Sequence, residues 1–226
     1  MAEVKIIDLK ANVLEDNDIL AAKTRARLKG ERTFLLNLMS APGSGKTTTL
    51  TKLIEAVKDD LKIAVMEADI DSDVDAKRII EAGADAIQLH TGGMCHLDAD
   101  MTTQGLDSIR SRRYDLVVLE NVGNLVCPAE FDTGATKNAM ILSVPEGDDK
   151  PLKYPLMFQV ADVVIINKTD VMPYFDFDME KAKANIEMRH PGIEVIPICA
   201  KTGEGIDKLA DWIRKEFDKI CTEDDA

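Results

Sequence analysis

The sequence predicts an α/β fold in which helices cover both faces of a doubly wound, mostly parallel sheet. Seven short apolar runs recur along the chain, separated by segments of helical length. The runs are almost continuously apolar, as strands are when both faces of their sheet are buried. With 226 residues, of which 45% are hydrophobic, the chain is long enough for one large domain around a real core. Alternation of strands and helices in this way is typical of a parallel sheet.

Each apolar run has the length of a buried strand. The predicted strands are TFLLNLM (33–39), KIAVMEA (62–68), DAIQL (85–89), DLVVLEN (115–121), AMILSV (139–144), DVVIIN (162–167) and EVIPI (194–198). The predicted helices span 12–29, 45–58, 73–82, 95–111, 178–189 and 205–219. Because no internal repeat or low-complexity linker divides the chain, residues 1–226 are expected to form a single domain. Within it, residues 1–30 are expected to be an N-terminal helical extension packed on the outside.

Charge and composition argue against several classes of partner. The formal net charge is -13, whereas nucleic-acid backbones favour proteins rich in lysine and arginine. No apolar run approaches the roughly 18 residues of a membrane-spanning helix. The first residues, MAEVKIIDLK, lack the apolar core of a signal peptide. We therefore expect a cytoplasmic protein with no nucleic-acid or membrane partner, whose four cysteines are free thiols or ligands.

The first predicted strand runs directly into SAPGSGKTT (40–48), and a predicted helix follows. This is the pattern of a P-loop, with Ser40 in place of its usual first glycine. In such a loop, backbone N–H groups and the helix N-terminus face phosphate oxygens. Lys46 then reaches the β- and γ-phosphates, and the Thr47 hydroxyl binds Mg²⁺. A chance glycine-rich turn is the alternative, and the strand–loop–helix context argues against it. The predicted phosphate-binding residues are Gly43, Ser44, Gly45, Lys46, Thr47 and Thr48.

The sixth predicted strand ends in NKTD (167–170), which resembles the guanine-specificity motif of GTPases. The Asp170 carboxylate can accept hydrogen bonds from guanine N1–H and the 2-amino group, a pair of donors that adenine does not offer. Since a buried carboxylate left unpaired is costly, the discrimination can be large. Asn167 is expected to hold the loop, and the stem of Lys168 to lie on the base. Farther on, CAK (199–201) resembles the Ser-Ala-Lys loop whose backbone N–H meets guanine O6. The predicted base-binding residues are Asn167, Lys168, Asp170, Ala200 and Lys201.

The fourth predicted strand ends in Glu120-Asn-Val-Gly123, which looks like the Asp-x-x-Gly switch of GTPases with glutamate for aspartate. Glu120 is expected to hold the hydration shell of Mg²⁺. The Gly123 N–H is expected to sense the γ-phosphate and so to report which nucleotide is bound.

The second predicted strand runs into DIDSDVD (69–75), where carboxylates alternate beside the phosphate site. Asp69 or Asp71 is expected to touch Mg²⁺ or its waters, and Asp75 to orient the attacking water. A solvated acidic loop is the alternative for each of them. No glutamine or arginine finger is evident, so hydrolysis is expected to be slow unless a partner completes the site. The predicted catalytic residues are Lys46, Asp75 and Glu120, and the predicted Mg²⁺ ligands are Thr47, Asp69 and Glu120.

Cysteine and histidine lie side by side in TGGMCHLDA (91–99), in a chain with four cysteines and three histidines. Cys95 and His96 are predicted to open the helix that precedes the switch strand, and Cys127 follows the switch turn. Loops at the carboxyl ends of parallel strands can meet, and two thiolates with one imidazole suit Zn²⁺ or Ni²⁺. The alternative is a capping cysteine, a polar histidine and an unrelated loop cysteine, because adjacent Cys-His is not a standard zinc spacing. The spacing alone leaves both open.

Taken in order, SAPGSGKTT, TGGMCHLDA, LENVGNLVCP, NKTD and CAKTGEG resemble the HypB family of hydrogenase maturation GTPases. The resemblance covers about residues 34–205. It implies a P-loop NTPase fold of the signal-recognition and MinD class, GTP hydrolysis with Mg²⁺, and nickel insertion into nickel–iron hydrogenase. It also implies a homodimer formed on GTP binding, with a HypA-like nickel chaperone and the hydrogenase large-subunit precursor as partners. The Zn²⁺ or Ni²⁺ ligands that it implies are Cys95, His96 and Cys127.

The chain departs from some members of that family. Its start, MAEVKIIDLK, shows neither a Cys-x-x-Cys-Gly-Cys motif nor a histidine-rich tract, so a second tight nickel site and a storage role are not expected. The nearest rival is UreG, the urease accessory GTPase, whose metal motif is Cys-Pro-His; here Cys95-His96 and Cys127-Pro128 are separate. A P-loop small-molecule kinase would need an acceptor pocket and an arginine-rich lid. A metal buffer without turnover would leave the nucleotide motifs without a role.

These observations lead to one expectation about mechanism. Three ligands from one chain leave a tetrahedral metal one short, and a symmetric dimer could supply the rest. Asp100 and Gln104, at helical spacing after His96, are further candidates. When GTP–Mg²⁺ closes the switch at 120–123, Cys127 is expected to move relative to the Cys-His pair, so that metal binding depends on the nucleotide.

Overall fold

The structure is a computed structural model that describes residues 9–68 and 73–222, with side chains over 13–68 and 75–222. Asp69 and Asp71, which the sequence predicts to touch Mg²⁺ or its waters, lie outside the described residues. The strands are β1 (Phe34–Ser40), β2 (Ile63–Glu67), β3 (Asp85–Gln88), β4 (Leu116–Glu120), β5 (Lys137–Ser143), β6 (Val163–Asn167) and β7 (Glu194–Pro197). The α-helices are α1 (Leu9–Glu31), α2 (Lys46–Val57), α3 (Asp73–Ala82), α4 (Ala99–Ile109), α5 (Cys127–Glu130), α6 (Lys150–Lys153), α7 (Pro155–Val160), α8 (Met179–Arg189) and α9 (Ile206–Thr222). Short 3₁₀ helices span Ser111–Arg113, Val144–Glu146 and Thr169–Tyr174.

The strands form one sheet in the order β3-β2-β4-β1-β5-β6-β7, and every neighbouring pair is parallel. The first strand, β1, is central, and the predicted P-loop follows its carboxyl end. In an open parallel sheet, ligands bind outside the carboxyl ends of the strands, where the strand order reverses. The predicted fold class is confirmed, and every loop predicted to bind nucleotide or metal leaves this edge.

Helices cover both faces of the sheet, as the continuously apolar strands predict. On one face, α2, α3 and α9 pack against alternate residues of β1 that include Phe34 and Leu36. On the other face, Leu35 packs beneath α1 and α4, and Met39 packs beneath α5, α7 and α8. The ring of Trp212 in α9 lies 6.4 Å from that of Phe34, within the range of favourable aromatic pairs.

The N-terminal helix α1 lies across α4 and is held there by polar contacts as well as by buried Leu28. Arg25 donates to both carboxylate oxygens of Asp132, at 2.7 and 2.8 Å. The Asn17 side-chain oxygen accepts a hydrogen bond from the N–H of Ala99, the first residue of α4, at 2.9 Å. Within the described part of the chain, no helix has the length and apolar character needed to cross a bilayer.

The helix predicted to open at Cys95 begins instead at Ala99 and ends at Ile109. Asp98 is its N-cap, and the Asp98 carboxylate accepts a hydrogen bond from the N–H of Met101 at 2.8 Å. This bond satisfies one of the free N–H groups at the start of the helix. The prediction that the Cys-His pair opens a helix is therefore wrong: the pair lies on the preceding loop.

Candidate functional site

The P-loop passes from the carboxyl end of β1 directly into α2. Gly43 and Gly45 have positive φ angles of 72° and 99°, which glycine adopts without strain. Because the N-cap Gly45 offers no side-chain cap, the first N–H groups of α2 are available to an anion. Lys46 and Thr47 are half-buried in the first turn of the helix. Ser40 is buried, and its hydroxyl donates to the carbonyl oxygen of Ala41 at 2.8 Å. The turn therefore accommodates serine where a glycine is usual.

Asn167, the last residue of β6, joins three loops. Its Nδ2 donates to the carbonyl oxygen of Ser44 at 2.9 Å. Its Oδ1 accepts from the N–H of Ala200 at 3.1 Å and from the N–H of Lys168 at 2.7 Å. A Cβ on Gly45 would lie only 2.5 Å from Asn167 Nδ2, so the glycine permits this close approach. The phosphate loop and both predicted base loops are therefore held in one arrangement.

A pocket of about 230 Å³ opens between these loops, and all five predicted base-binding residues line it. Asp170 is exposed there, so the burial that would make an unpaired carboxylate costly has to come from a bound base. Lys168 has a φ of 64° and its Nζ donates to the carbonyl oxygen of Gly43 at 2.6 Å. Its stem therefore crosses from the base loop to the P-loop. Cys199 is buried beside the pocket, as expected for a core thiol.

Two buried carboxylates end neighbouring strands next to the P-loop. Glu120 closes β4 and Glu67 closes β2, opposite each other in register, and they are 3% and 2% exposed. Sequence reasoning missed Glu67, although a glutamate that ends the apolar run KIAVMEA is a signal. Carboxylate oxygens are ligands that Mg²⁺ prefers. Gly123 packs closely on the P-loop, since a Cβ there would lie 3.2 Å from Pro42 Cα.

The acidic loop after β2 is only partly described. Asp75 lies on α3, is half-buried, and its carboxylate approaches the guanidinium of Arg78 at 3.4 Å. The α3 helix packs against α2, which starts at the P-loop. The predicted role of Asp75 in orienting water stays a prediction, and that of Asp69 falls outside the described residues.

Cys95, His96 and Cys127 come together at the same edge of the sheet. Their ligand atoms all lie within 4.8 Å of one another. The Cys95 Sγ is 2.8 Å from the Cys127 Sγ and 3.8 Å from the His96 Nδ1. Over residues 13–68 and 75–222, no other group of three such side chains has this spacing. Two thiols and one imidazole form a donor set suited to Zn²⁺ or Ni²⁺.

The ring of Phe131 stacks on His96, with ring centroids 3.8 Å apart and planes 16° from parallel. Burial lowers the pKa of His96 and so favours neutral imidazole, the form that binds metals. The pKa of Cys95 is raised, chiefly by the hydrogen bond that its thiol makes with Cys127. A metal must therefore displace protons from these sulfurs. No sequence pattern indicated Phe131.

Asp100 and Gln104, suggested by the sequence as further ligands, contact each other. The Gln104 Nε2 donates to the Asp100 carboxylate at 2.7 Å, and both lie on α4. Because His96 precedes that helix, the one-turn spacing from which the sequence suggested these two as further ligands does not apply. The suggestion is wrong on that ground.

The segment 120–127 belongs to both sites. It begins at the predicted Mg²⁺ ligand Glu120, passes Gly123 against the P-loop, and ends at Cys127 of the group of two thiols and one imidazole. Midway, the Asn124 side chain donates back to the carbonyl oxygen of Cys95 at 3.4 Å. The backbone of this segment therefore connects Glu120, at the predicted phosphate site, directly to the thiol of Cys127.

A larger cavity, of about 500 Å³, lies at the opposite edge of the sheet between α1 and α9. It contains none of the predicted site residues. Two of the cations that line it, Arg25 and Lys137, each form an ion pair with an aspartate. The carboxyl edge, and not this cavity, is therefore the candidate nucleotide site.

The chain resembles known proteins over most of its length. The sequence model of the family described as "CobW/HypB/UreG, nucleotide-binding domain" matches residues 34–197. A hydrogenase maturation factor HypB of Azotobacter chroococcum is 44% identical over 216 residues, which are 96% of this chain and 71% of that protein. A hydrogenase/urease maturation factor HypB of Helicobacter pylori is 39% identical over 215 residues, which are 93% of this chain and 87% of that protein.

Solved structures agree with the observed architecture. The crystal structure of Helicobacter pylori HypB in complex with nickel superposes with a TM-score of 0.85 at 38% identity, covering 90% of this chain and 96% of that one. The signal recognition particle 54 kDa protein of Aeropyrum pernix, in complex with GDP, gives a TM-score of 0.57 at 16% identity, over 83% of this chain and 49% of that one. This second likeness concerns the fold alone, which is that of the predicted signal-recognition class.

Proposed function

The chain belongs to the HypB family of hydrogenase maturation factors, and from that premise we propose that it is a GTP-hydrolysing metallochaperone. Its task is to assist nickel insertion during maturation of nickel–iron hydrogenase, and the metal held at Cys95, His96 and Cys127 is its cargo. The observation that carries the proposal is the shared segment 120–127, which runs from the predicted switch to the cluster of two thiols and an imidazole.

The nucleotide is GTP. The pocket between the NKTD and CAK loops presents the Asp170 carboxylate to the edge of a purine, where guanine offers two donors. Asn167 fixes the distance from that pocket to the P-loop through its bond to Ser44. The fixed distance between the two loops therefore matches a nucleotide whose base lies in the pocket while its phosphates lie in the P-loop.

Hydrolysis depends on the carboxyl edge of β1 and β4. Lys46 and the N–H groups at the start of α2 bind the phosphates, and Thr47, Asp69 and Glu120 would hold Mg²⁺ or its waters, which would offset the charge of the phosphates. Asp75 orients the attacking water. Glu67, buried beside Glu120, supplies a second acidic group at that edge.

The cargo enters between the two thiols. With Zn²⁺–sulfur bonds of about 2.3 Å, two sulfurs on one tetrahedral metal stand roughly 3.8 Å apart. In the structure the Cys95 and Cys127 sulfurs are 2.8 Å apart. Metal binding therefore sets the separation of the two sulfurs and displaces the thiol protons. Because Cys127 ends the switch segment, metal binding changes the affinity for the nucleotide, and closure on the nucleotide changes the affinity for the metal.

Three ligands leave a tetrahedral metal one ligand short, which favours a homodimer in which two clusters face each other across a twofold axis. Met94 and Val126 directly precede Cys95 and Cys127 and are 39% and 51% exposed, so exposed apolar side chains neighbour two of the ligands. GTP-dependent closure assembles the dimer. The remaining partners in nickel transfer are a HypA-like nickel chaperone and the hydrogenase large-subunit precursor.

A second candidate has the same chemistry and a different client. The Helicobacter pylori relative is described as a hydrogenase/urease maturation factor, which favours an accessory role for urease as the alternative. The two are separated by offering nickel-loaded protein with GTP to each apoenzyme. Activation of urease and not of hydrogenase would select the alternative.

The first experiment measures nucleotide turnover and nickel binding on the same preparation. We expect GTP hydrolysis to exceed ATP hydrolysis, and nickel binding to be lost in Cys95→Ala. The matched control is Cys221→Ala, since Cys221 is a half-buried thiol on α9 that lies outside the cluster. Equal turnover of ATP, or nickel binding that Cys95→Ala leaves intact, would contradict the proposal.

A further inference from the structure

A row of three asparagines crosses one face of the sheet next to the nucleotide site. The Asn37 Nδ2 in β1 donates to the Asn138 Oδ1 in β5 at 2.9 Å. The Asn121 Nδ2, directly after β4, donates to the Asn37 Oδ1 at 3.0 Å. Asn37 and Asn121 are 2% and 1% exposed. Polar side chains this deep in an apolar core are retained where their hydrogen bonds are made, because leaving them unmade is costly.

Asn121 has a second set of contacts, outside the row. Its Oδ1 accepts from the N–H of Leu97 at 3.2 Å and from the N–H of Val122 at 2.9 Å. Asn121 directly follows Glu120 of the predicted switch, and Leu97 directly follows His96 of the metal cluster. A single oxygen atom therefore joins the backbone of the switch turn to the backbone of the metal loop.

This link differs from the other connections between the two sites. Leu97 is fully buried, so water has no access to replace the acceptor of its N–H. The bond from Asn124 to the Cys95 carbonyl oxygen is longer, at 3.4 Å, and exposed. Cys127 is connected to the switch through the chain itself, but the Cys95–His96 side of the cluster has no such covalent path. Asn121 provides the buried hydrogen-bonded path on that side.

We propose that Asn121 is the positioning residue through which the nucleotide switch sets the place of His96, and so tunes metal affinity. The inference rests on the proposed function and names the residue that carries its coupling. When the γ-phosphate moves the Glu120–Gly123 turn, the Asn121 oxygen moves with it. The Leu97 N–H then either follows this oxygen or loses its hydrogen-bond acceptor. The adjacent imidazole then shifts relative to Cys127. We expect the nucleotide-free and nucleotide-bound chains to differ in this buried contact.

The test measures nickel dissociation constants of the full chain with and without a non-hydrolysable GTP analogue. The readout is the ratio of the two constants, taken with the analogue bound at saturation, since a uniform weakening of nickel binding changes both constants alike and leaves the ratio in place. We expect Asn121→Ala to bring the ratio close to one. Asn138→Ala is the matched control: it breaks the same asparagine row at the far end and leaves the bonds of Asn121 to Leu97 and Val122 intact, so the wild-type ratio is expected.

Asn121→Asp tests the atom itself. It keeps an oxygen acceptor for the Leu97 N–H and loses the donor to Asn37, so it is expected to retain the ratio even if the fold is less stable. An Asn121→Ala chain that folds and keeps the wild-type ratio overturns the inference, as does loss of the ratio in Asn138→Ala.

A measurement on the unaltered chain needs no variant to fold. Hydrogen exchange of the Leu97 amide is expected to differ between the GDP-bound chain and the chain with the GTP analogue; identical protection overturns the inference. Failure of the proposed function looks different. In that case wild-type protein binds no nickel, or its nickel affinity ignores the nucleotide, before any asparagine is changed.

Discussion

The side chain of Asn167 and the backbone of Ser44 make the bond that joins the predicted base loop to the P-loop: Nδ2 donates to the carbonyl oxygen at 2.9 Å. The same side chain accepts from Ala200 at 3.1 Å. The nucleotide pocket is therefore built around one buried amide, and the P-loop does not take its position independently of the base loops.

Removal of this amide is expected to weaken binding of every guanine nucleotide. Asn167→Ala leaves the Ser44 carbonyl and the Ala200 N–H unsatisfied in a buried place, at a cost of about 1–3 kcal/mol for each lost partner. We expect lower stability in urea unfolding and a loss of at least about tenfold in affinity for both GTP and GDP, by the conversion of 1.4 kcal/mol to a factor of ten. Asn185→Ala is the control, because Asn185 is a buried amide that donates to the Asp148 carbonyl oxygen at 3.0 Å, away from the pocket. Equal nucleotide affinities in the two variants would contradict this.

Asp170 is expected to set the choice of base. Asp170→Asn replaces a carboxylate by an amide, which can donate to the 2-oxygen of xanthine and no longer accepts both guanine donors. Competition binding should then show a preference for XTP over GTP, with the phosphate contacts unchanged. Asp176→Asn alters an exposed aspartate on the same loop, outside the residues that line the pocket, and should keep the preference for GTP. Retention of GTP preference by Asp170→Asn would mean that the base lies elsewhere.

Gly123 is expected to tolerate a side chain poorly while the switch is against the P-loop. An alanine Cβ would lie 3.2 Å from Pro42 Cα and 3.3 Å from its nitrogen, and backbone atoms there cannot move aside cheaply. We expect Gly123→Ala to slow GTP hydrolysis severalfold and to weaken the GTP analogue more than GDP. Gly30→Ala serves as the control, since nothing lies within 4 Å of its added Cβ and alanine favours a helix by about 1 kcal/mol. A Gly123→Ala chain with wild-type turnover would show that the switch does not use this approach.

The pH dependence of stability should include a contribution from Asp148. A hydrogen bond from Lys181 and another from the Asp178 N–H lower the pKa of Asp148. A lowered folded-state pKa means stability that is present above the unfolded value of about 3.9 and is lost as the pH falls through the folded pKa. Asp148→Asn should therefore destabilise the protein by about 1 kcal/mol at pH 7, a modest figure because solvent screens the lysine.

The difference between wild type and Asp148→Asn should shrink as the pH falls below about 4. Free energies of unfolding from urea titrations at neutral and acidic pH measure it. Asp211→Asn, which alters an exposed ion pair with Arg214, is the matched comparison. A difference for Asp148→Asn that stays constant over the whole range would refute the assignment.

The fold was predictable because its signals are local. Apolar runs bounded by polar turns indicated each strand, and a glycine-rich loop between a strand and a helix indicated the P-loop. The predicted start of α4 is wrong because the prediction includes Cys95 and His96 in the helix, although Asp98 is an ordinary N-cap residue. Contacts between distant elements gave no local signal. The stacking of Phe131 on His96 and the bond from Asn121 to Leu97 depend on loops that only the folded sheet brings together.

Coupling between nucleotide and metal is the central claim, and it is reciprocal by thermodynamic necessity. The most direct test is the affinity of the wild-type chain for a non-hydrolysable GTP analogue, measured by calorimetry with and without saturating Ni²⁺. We predict a change of about 5- to 150-fold, the usual range of allosteric coupling. The same nucleotide affinity in both conditions would contradict the account, however well each ligand binds alone.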